Sequence, residues 1–246
     1  MPPTPRPTVR TSTVDDDPFA SAPAPPAPRR ALLLAALFTL LLALVVLRWG
    51  PLLSLDTAVT GALHRTAVAA PGWTRLNRVL TDRVWDPWTM RAALAAAVGL
   101  LVRRGERLLG VWVAATALAG TGLQQGLKAV VGRARPVWPD PVDSAHYAAF
   151  PSGHAMSVVV AGALVLWLLR LHGARPLWRW TARTVVVVSA VGVGFTRVYL
   201  GVHWPSDVVG GWLLGGALVA GAAAVYHGCV PRTDWPGAAR GTGWSP

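Results

Sequence analysis

The segment ALLLAALFTLLLALVVL occupies residues 31–47 and contains no charged side chain. As an α-helix rising about 1.5 Å per residue, it is close to the length that crosses the roughly 30 Å hydrocarbon layer of a bilayer. A secretory signal would also be apolar, but here a long polar segment precedes the block and no clear small-residue cleavage site follows it. We therefore interpret the block as a retained membrane span.

Five further apolar blocks follow, each close to the ~20 residues that a spanning helix needs. They cover residues 87–103, 108–127, 153–171, 182–200 and 206–226. Lipid cannot satisfy unpaired backbone groups, so these blocks are predicted to be helices even where valine is frequent. The sequence thus predicts an all-α, polytopic membrane protein, a six-transmembrane-helix bundle.

The composition agrees with this interpretation. The chain has 246 residues, of which 53% are hydrophobic and 14% are charged, and its formal net charge is +12. In a soluble protein this charge would suggest a nucleic-acid partner, but here it is better explained by charged loops flanking membrane spans. The single cysteine, Cys229, excludes both a disulfide framework within the chain and a site built from several cysteines.

The chain is predicted to form one domain flanked by two tails. Residues 1–30 are rich in Pro and Ala and are predicted to be a disordered cytoplasmic tail, and residues 227–246 a short C-terminal cytoplasmic tail. Residues 31–226 form the predicted six-span domain. The 39 residues between the first two spans have mixed character and are expected to form short interfacial helices.

Loop charge predicts the orientation, because arginine and lysine are enriched in cytoplasmic loops. Arginines cluster before span one, between spans two and three, and around the loop after span four: Arg29, Arg30, Arg103, Arg104, Arg107, Arg170, Arg175, Arg179 and Arg183. Both termini are then cytoplasmic. This topology brings three polar segments to the opposite, extracytoplasmic face: residues 128–136, 151–154 and 197–207.

The first polar segment supplies two cations. Lys128 is the only lysine of the chain, and an ammonium is a compact charge suited to a phosphate oxygen. Arg135 precedes Pro136, which disfavours helix at the preceding residue, so the arginine should project from the helix end and could grip a phosphate bidentately. Taken alone, each would be an ordinary basic residue at a helix end or in a loop.

The second segment, Pro151-Ser152-Gly153-His154, opens directly onto an apolar block. Ser152 is a candidate N-cap, Gly153 permits close approach of the backbone, and free N–H groups at a helix start bind anions. Beside a cationic cluster, His154 is a candidate general acid for a leaving oxygen. By itself the tripeptide before His154 would indicate only a turn.

The third segment contains Arg197, His203 and Asp207. Pro205 favours a helix start, which puts Asp207 in the first turn, where its carboxylate can accept one ring N–H of His203. The other ring nitrogen would then be free to attack phosphorus, as in other covalent mechanisms that pair a nucleophile with an orienting group. A lone interfacial histidine or a first-turn aspartate would more simply be structural.

Together these segments resemble the three signature motifs of the type-2 phosphatidic acid phosphatase family, the lipid phosphate phosphatases. The one departure is Thr196, where the family usually has serine. The resemblance implies a metal-independent enzyme without a cofactor, in which His203 becomes phosphorylated, Asp207 orients it, and His154 protonates the leaving oxygen and then activates water. It also implies a phosphate-binding set: Lys128, Arg135, Ser152, Gly153 and Arg197.

Several alternatives stay open. The phosphohistidine could pass its phosphate to an alcohol, the pocket could hold vanadate as in a haloperoxidase, or the protein could bind a lipid phosphate without cleaving it. Asp140, Asp143 and His146 match no standard metal-ligand spacing and are interpreted as loop residues. The expected partners are the bilayer and a lipid phosphate, whether phosphatidic acid, phosphatidylglycerol phosphate, a sphingoid phosphate or a polyprenyl diphosphate, and the oligomeric state is not predicted.

Overall fold

The computed structural model describes residues 28–231 and 235–236, and within them it is all-helical. The helices are α1 (Pro28–Val46), α2 (Gly50–Ala69), α3 (Pro71–Val79), α4 (Pro87–Arg103), α5 (Arg107–Val131), α6 (Gly153–Leu171), α7 (Pro176–Tyr199) and α8 (Pro205–Cys229), with a π-helical turn at Leu80–Val84. The predicted N-terminal tail lies outside the described residues, apart from its last three, which belong to α1.

Local sequence explains most helix boundaries. Besides α1, which begins at Pro28, five helices carry a proline in their first two positions, where the missing N–H has no helical partner to lose: α2, α3, α4, α7 and α8. The Asp86 side chain caps α4 by accepting the backbone N–H of Trp88 at 2.7 Å. Gly132 ends α5 in the left-handed region with φ of 57°, which glycine adopts without strain.

Four of the described helices are long and apolar enough to cross a membrane: α1, α6, α7 and α8. Their exposed apolar side chains, such as Leu33 and Leu40 on α1, are suited to contact with lipid. Helices α4 and α5 coincide with the second and third predicted spans, but α4 is shorter and α5 carries Thr121, Gln124 and Gln125. The predicted count of six spans therefore exceeds the four that length and apolarity support.

The main differences from the sequence prediction lie in two regions. Helix α7 begins at Pro176 rather than near residue 182, because Pro176 starts the helix and its first turns are an exposed extension that carries Trp178 and Trp180. The segment between the first two spans forms a 20-residue helix, α2, rather than only short helices. Helix α2 contains the buried polar residues Asp56, Thr60 and His64.

The core is formed mainly by α6 and α8, which pack against each other while α1 covers α8 and α7 packs on α6. Buried side chains between them include Phe150, Leu164 and Leu214. Small residues permit this close approach, since a Cβ on Gly211 would lie 2.7 Å from the Ser152 carbonyl oxygen. The N-terminal ends of α6 and α8 are thereby held together at one end of the bundle.

Candidate active site

The three polar segments meet at one end of the bundle. Helix α5 ends there and α6 begins there, and the end of α7 is followed by the turn that leads into α8. The meeting point is a cavity of about 410 Å³. Six of the eight residues predicted for the site line it: Lys128, Arg135, Gly153, His154, Arg197 and His203.

The basic side chains of the first segment are held by backbone carbonyl groups. The Lys128 ammonium donates to the Ala148 carbonyl oxygen at 2.6 Å, although the residue is only 9% exposed. The Arg135 guanidinium donates to the carbonyl oxygens of Tyr147 and Val202. These bonds fix both cations without neutralising them, because a carbonyl oxygen carries no net charge.

Two buried polar atoms of the site have no hydrogen-bond partner: the Ser152 hydroxyl oxygen and Arg197 Nε. Both residues are at most 5% exposed. Buried polar atoms are rarely left unpaired in folded proteins, so these two are candidates for bonding to a bound anion. Ser152 is tied to the third segment by its backbone N–H, which donates to the Asp207 carbonyl oxygen at 2.9 Å.

His203 and Asp207 form the predicted pair. His203 Nδ1 lies 3.3 Å from Asp207 Oδ2, and Asp207 is completely buried behind the imidazole, away from the cavity. The backbone N–H of Trp204 also donates to Asp207 Oδ2, at 2.9 Å. The second ring nitrogen, His203 Nε2, lies 3.1 Å from the Arg135 guanidinium. The imidazole therefore presents one nitrogen to its carboxylate and the other to the cationic cavity.

The environment of His203 keeps its ring neutral. Burial lowers the pKa of His203 well below its ordinary 6.5, and the positive charges of Arg135, Arg197 and Lys128 lower it further. Burial also lowers the pKa of Arg135, to about 10, so this guanidinium stays charged at neutral pH. A neutral imidazole beside fixed cations has the protonation state that a nucleophile needs.

An ion-pair network behind the site was not predicted from the sequence. Arg133 donates to Asp207 Oδ1 at 2.6 Å and to Asp56 Oδ2 at 2.7 Å, so its guanidinium joins two buried carboxylates. Asp56 in turn accepts the backbone N–H of Ser206 at 3.0 Å and also the Ser206 hydroxyl. Asp207 is thus held by Arg133, which is itself held by Asp56 of α2.

The sequence carried a signal for Asp56 but not for Arg133. Asp56 is an isolated acid among the apolar residues of α2, and a lone charge in such a setting usually has a partner. Arg133 lies two residues before Arg135, and the sequence singled out only Arg135 for the phosphate; it gave no indication that Arg133 faces two carboxylates. The side that Arg133 faces depends on how the chain leaves α5 at Gly132.

The acidic loop residues do not gather around a common point. Asp143 and His146 line the cavity, and Asp143 lies 4.0 Å from Arg197. Asp140 instead faces α2, where its carbonyl oxygen lies 3.1 Å from His64 Nε2. Within residues 28–231 and 235–236, no group of three or more His, Cys, Asp or Glu side chains could hold a metal ion.

An apolar groove adjoins the polar cavity. It has a volume of about 560 Å³ and is lined largely by apolar residues of α4, α5 and α6, including Leu94, Ala117 and Val160. The groove and the cavity share four lining residues: Arg91, Gln124, Gly153 and Ser157. A molecule with a charged head and an apolar tail could therefore occupy both spaces at once.

Comparison with known proteins gives consistent matches. A family model described as the PAP2 superfamily matches residues 109–230. An undecaprenyl-diphosphatase of Sulfolobus acidocaldarius is 34% identical over 149 residues, which are 57% of this chain and 62% of that protein, so the chain spans less than two thirds of this relative. A decaprenylphosphoryl-5-phosphoribose phosphatase of Mycobacterium tuberculosis is 33% identical over 170 residues, 67% of this chain and 87% of the relative.

The fold also matches a solved structure. The crystal structure of a transmembrane PAP2 type phosphatidylglycerolphosphate phosphatase from Bacillus subtilis aligns with a TM-score of 0.68 at 24% sequence identity, covering 82% of this chain and 98% of that one. The family model includes all three polar segments, and Asp56 and its helix α2 lie outside it. From the family model, the mycobacterial relative and the shared fold, it follows that this chain belongs to the PAP2 superfamily.

Proposed function

We propose that the protein is a lipid phosphatase that removes a terminal phosphate from a membrane lipid through a phosphohistidine at His203. One observation carries this proposal: a single cavity brings the cationic side chains of Lys128, Arg135 and Arg197 together with the imidazoles of His154 and His203. Phosphoryl transfer depends mainly on positioning and on stabilising charge at the equatorial oxygens, which three fixed cations can supply.

The first step forms the covalent intermediate. The Nε2 lone pair of His203 attacks phosphorus while the bond between phosphorus and the lipid oxygen breaks, and His154 gives its proton to that leaving oxygen. Asp207 accepts a hydrogen bond from the Nδ1–H group of His203 and stabilises the positive charge that develops on the ring. The unpaired Ser152 hydroxyl, the Gly153 N–H and Arg197 bind the phosphate oxygens.

The second step regenerates the enzyme. Neutral His154 takes a proton from water, the water oxygen attacks phosphorus, and the bond between phosphorus and His203 Nε2 breaks. Inorganic phosphate leaves, and His154 is again protonated for the next cycle. The three cations supply the positive charge that a divalent ion supplies in many phosphatases, so we expect turnover in excess chelator.

The adjoining groove and the relatives support a lipid substrate. The groove offers an apolar wall along α4, α5 and α6 beside the charged cavity, which fits a lipid whose head group is the phosphate. Two matched relatives are named for polyprenyl compounds, an undecaprenyl-diphosphatase and a decaprenylphosphoryl-5-phosphoribose phosphatase. A polyprenyl phosphate or diphosphate is therefore the first substrate class to test.

The test measures inorganic phosphate released by the purified full chain in detergent and excess chelator. The substrates are a polyprenyl diphosphate, phosphatidylglycerol phosphate and phosphatidic acid, each at the same detergent composition. His203→Ala should lower kcat by roughly a thousandfold or more, since it removes the nucleophile. The exposed Arg65→Gln is the matched control and should leave turnover unchanged. Loss of wild-type activity on chelation, or full activity of His203→Ala, would refute the mechanism.

A second measurement separates hydrolysis from its alternatives. With a labelled terminal phosphate, His154→Ala should retain label on the protein, because the group that activates water is missing. A transferase would instead release more product when an acceptor alcohol is added, and a simple binder would bind the lipid without releasing phosphate. Label retained on His203→Ala would contradict the assignment of the nucleophile.

We also propose that α4 and α5 cross the bilayer, which gives six spans within residues 31–226, with cytoplasmic tails at residues 1–30 and 227–246. Helix α5 extends over 25 residues, about 37 Å at the usual helical rise, and α4 packs along α5 and α6. The two lie beside spanning helices, which can shield the polar side chains of α5 from lipid. The active site would then open at the extracytoplasmic face.

A further inference from the structure

A second basic cluster lies at the end of the bundle opposite the active site. Arg170 stands in the last turn of α6, and Arg179 and Arg183 stand near the start of α7. Together with Trp180 they line a cavity of about 200 Å³ between the two helices. The lengths of α6 and α7 separate this arginine pocket from the catalytic end of the bundle. The pocket therefore plays no part in the proposed reaction.

The arginines of this pocket have no acidic partner among the residues that the structure describes. None of the salt bridges there involves Arg170, Arg179 or Arg183. The one described carboxylate at this end of the bundle, Glu106, is already bonded to His172 at 2.9 Å. The charged side chains around Arg170 are other arginines: Arg183, Arg30 of α1 and Arg179.

This arrangement is electrostatically unfavourable in the absence of an anion. Arg179 and Arg183 are four residues apart on one helix face, a spacing at which like charges destabilise a helix. Arg183 is held over the Trp180 ring, with 4.9 Å from its guanidinium carbon to the ring centroid. The tight turn between α6 and α7 then brings Arg170 to the same cavity, which adds a third positive charge.

We propose that the arginine pocket binds the phosphate of an anionic phospholipid of the adjacent bilayer leaflet. Guanidinium groups bind phosphate oxygens in a bidentate manner, and three of them can surround one phosphodiester. Exposed Trp178 and Trp180 belong to the class of side chains that lie at the level of lipid head groups. Basic pockets between transmembrane helices are known to bind anionic head groups in this way.

The pocket differs from the general positive charge of its membrane face. Arg103, Arg104 and Arg107 lie at the same end of the bundle, in and beside the turn between α4 and α5, and line none of the cavities described above. If charge alone attracted anionic lipid, these three arginines would contribute as much as the pocket. They therefore provide a control with the same number and type of substitutions.

The experiment counts lipids bound to the delipidated full chain in neutral detergent by native mass spectrometry. The probe is dioctanoyl phosphatidylglycerol, with dioctanoyl phosphatidylcholine as the zwitterionic comparison. The combined variant Arg170→Gln, Arg179→Gln, Arg183→Gln should bind phosphatidylglycerol roughly tenfold or more weakly than wild type, whereas Arg103→Gln, Arg104→Gln, Arg107→Gln should stay within about twofold. Arg135→Gln, in the catalytic cavity, should also keep this binding.

Other results would overturn the proposal. Equal loss in the two triple variants would mean that only general surface charge is involved, and loss in Arg135→Gln would assign the bound lipid to the catalytic cavity. Inorganic phosphate that competes at the same concentration as phosphatidylglycerol would make the ligand a free anion rather than a lipid. Binding that appears only after Asp15→Asn, Asp16→Asn and Asp17→Asn would make the chain's own acidic segment the occupant. The single variant Arg179→Gln, at an exposed position, repeats the measurement with the least risk to folding.

Discussion

Arg133 joins two carboxylates that lie far apart in the chain, those of Asp56 and Asp207. Both acids are almost fully buried, and each would be an uncompensated charge without the guanidinium between them. The fork geometry matters, because one ammonium cannot donate to two separate carboxylates in the same way. The position of the carboxylate behind His203 therefore depends on a residue that touches neither the cavity nor a substrate.

We predict that Asp56→Asn lowers kcat about tenfold with little change in KM, because it weakens the support of Asp207 without altering the cavity. Arg133→Lys should lower kcat by about 10- to 100-fold, since the charge remains but the fork is lost. Steady-state kinetics on the best substrate of the panel, with Arg65→Gln as the control, measure both. Full wild-type kcat in Arg133→Lys would contradict the positioning role.

A pH prediction follows from the lowered pKa of His203. Below pH 6.5 the unfolded chain takes up a proton at this histidine that the folded chain does not, so the folded state loses stability as pH falls. Because the unfolded chain binds about one proton more than the folded chain, the free energy of unfolding falls by about 1.4 kcal/mol per pH unit at most. Above pH 6.5 both states are unprotonated and the effect vanishes.

Thermal unfolding of the wild type and of His203→Gln, in the same detergent, tests this prediction between pH 7.5 and 5.5, values that are about one unit either side of the ordinary histidine pKa. As pH falls from about 6.5 to 5.5, the wild type should lose more stability than the variant, and above about pH 6.5 the two proteins should change equally. Parallel curves for the two proteins would show that His203 takes up its proton equally in the folded state.

At the scale of elements, the contact between α6 and α8 sets the distance between two polar segments. Gly211 of α8 lies against the backbone at the start of α6, and a Cβ there would approach the Ser152 carbonyl oxygen at 2.7 Å and the Met156 nitrogen at 3.0 Å. Neither atom is at the end of a flexible side chain. An added methyl group must therefore separate the helices that carry His154 and Asp207.

We predict that Gly211→Ala destabilises the protein by about 1–3 kcal/mol, the usual cost of overpacking, and lowers kcat as well. Gly221→Ala is the matched control on the same helix, because its Cβ would meet no atom within 4 Å. The control should be neutral or slightly stabilising, since alanine favours helix by roughly 0.5–1 kcal/mol over glycine. Thermal unfolding and turnover would be measured on both, and equal effects would refute the close-packing argument.

At the scale of the whole molecule, charge is divided between the two ends of the bundle. Six of the seven described carboxylates belong to elements at the active-site end: Asp56, Asp82, Asp86, Asp140, Asp143 and Asp207. The opposite end carries the clustered arginines and Glu106. The orientation follows from the arginines, not from the acids: arginines concentrated in short loops favour the cytoplasmic side, so the short turns between α4 and α5 and between α6 and α7 predict that the arginine end is cytoplasmic.

The exposed Cys229, at the arginine end of α8, offers a direct test of this orientation. In intact cells a membrane-impermeant maleimide should leave Cys229 unlabelled, and in inverted vesicles it should label it. In a Cys229→Ser background, Val137→Cys should be labelled in intact cells and Arg104→Cys only from the other side, because α5 separates these two positions. Labelling of both from one side would contradict the crossing of α5.

Composition and motif spacing were sufficient to predict an all-helical membrane protein and to single out three polar segments that meet at one end of the bundle. Apolar blocks of membrane length must form helices because lipid leaves no other way to pair the backbone. Antiparallel helices then bring the end of α5, the start of α6 and the turn after α7 to one face. The family resemblance was confirmed by the matches to the PAP2 superfamily, while the roles of His203, His154 and Asp207 stay predictions.

Only the tertiary structure showed which polar side chains are partners. The sequence predicted that Arg135 faces the cavity, but it did not predict that Arg133, two residues earlier, faces two buried carboxylates. Asp56 and the arginine pocket depend on contacts between helices that are distant in the chain or joined by a tight turn. Helix periodicity specifies which face of a helix is apolar, but the rotation and close approach of two packed helices are set by side-chain volumes at their contact.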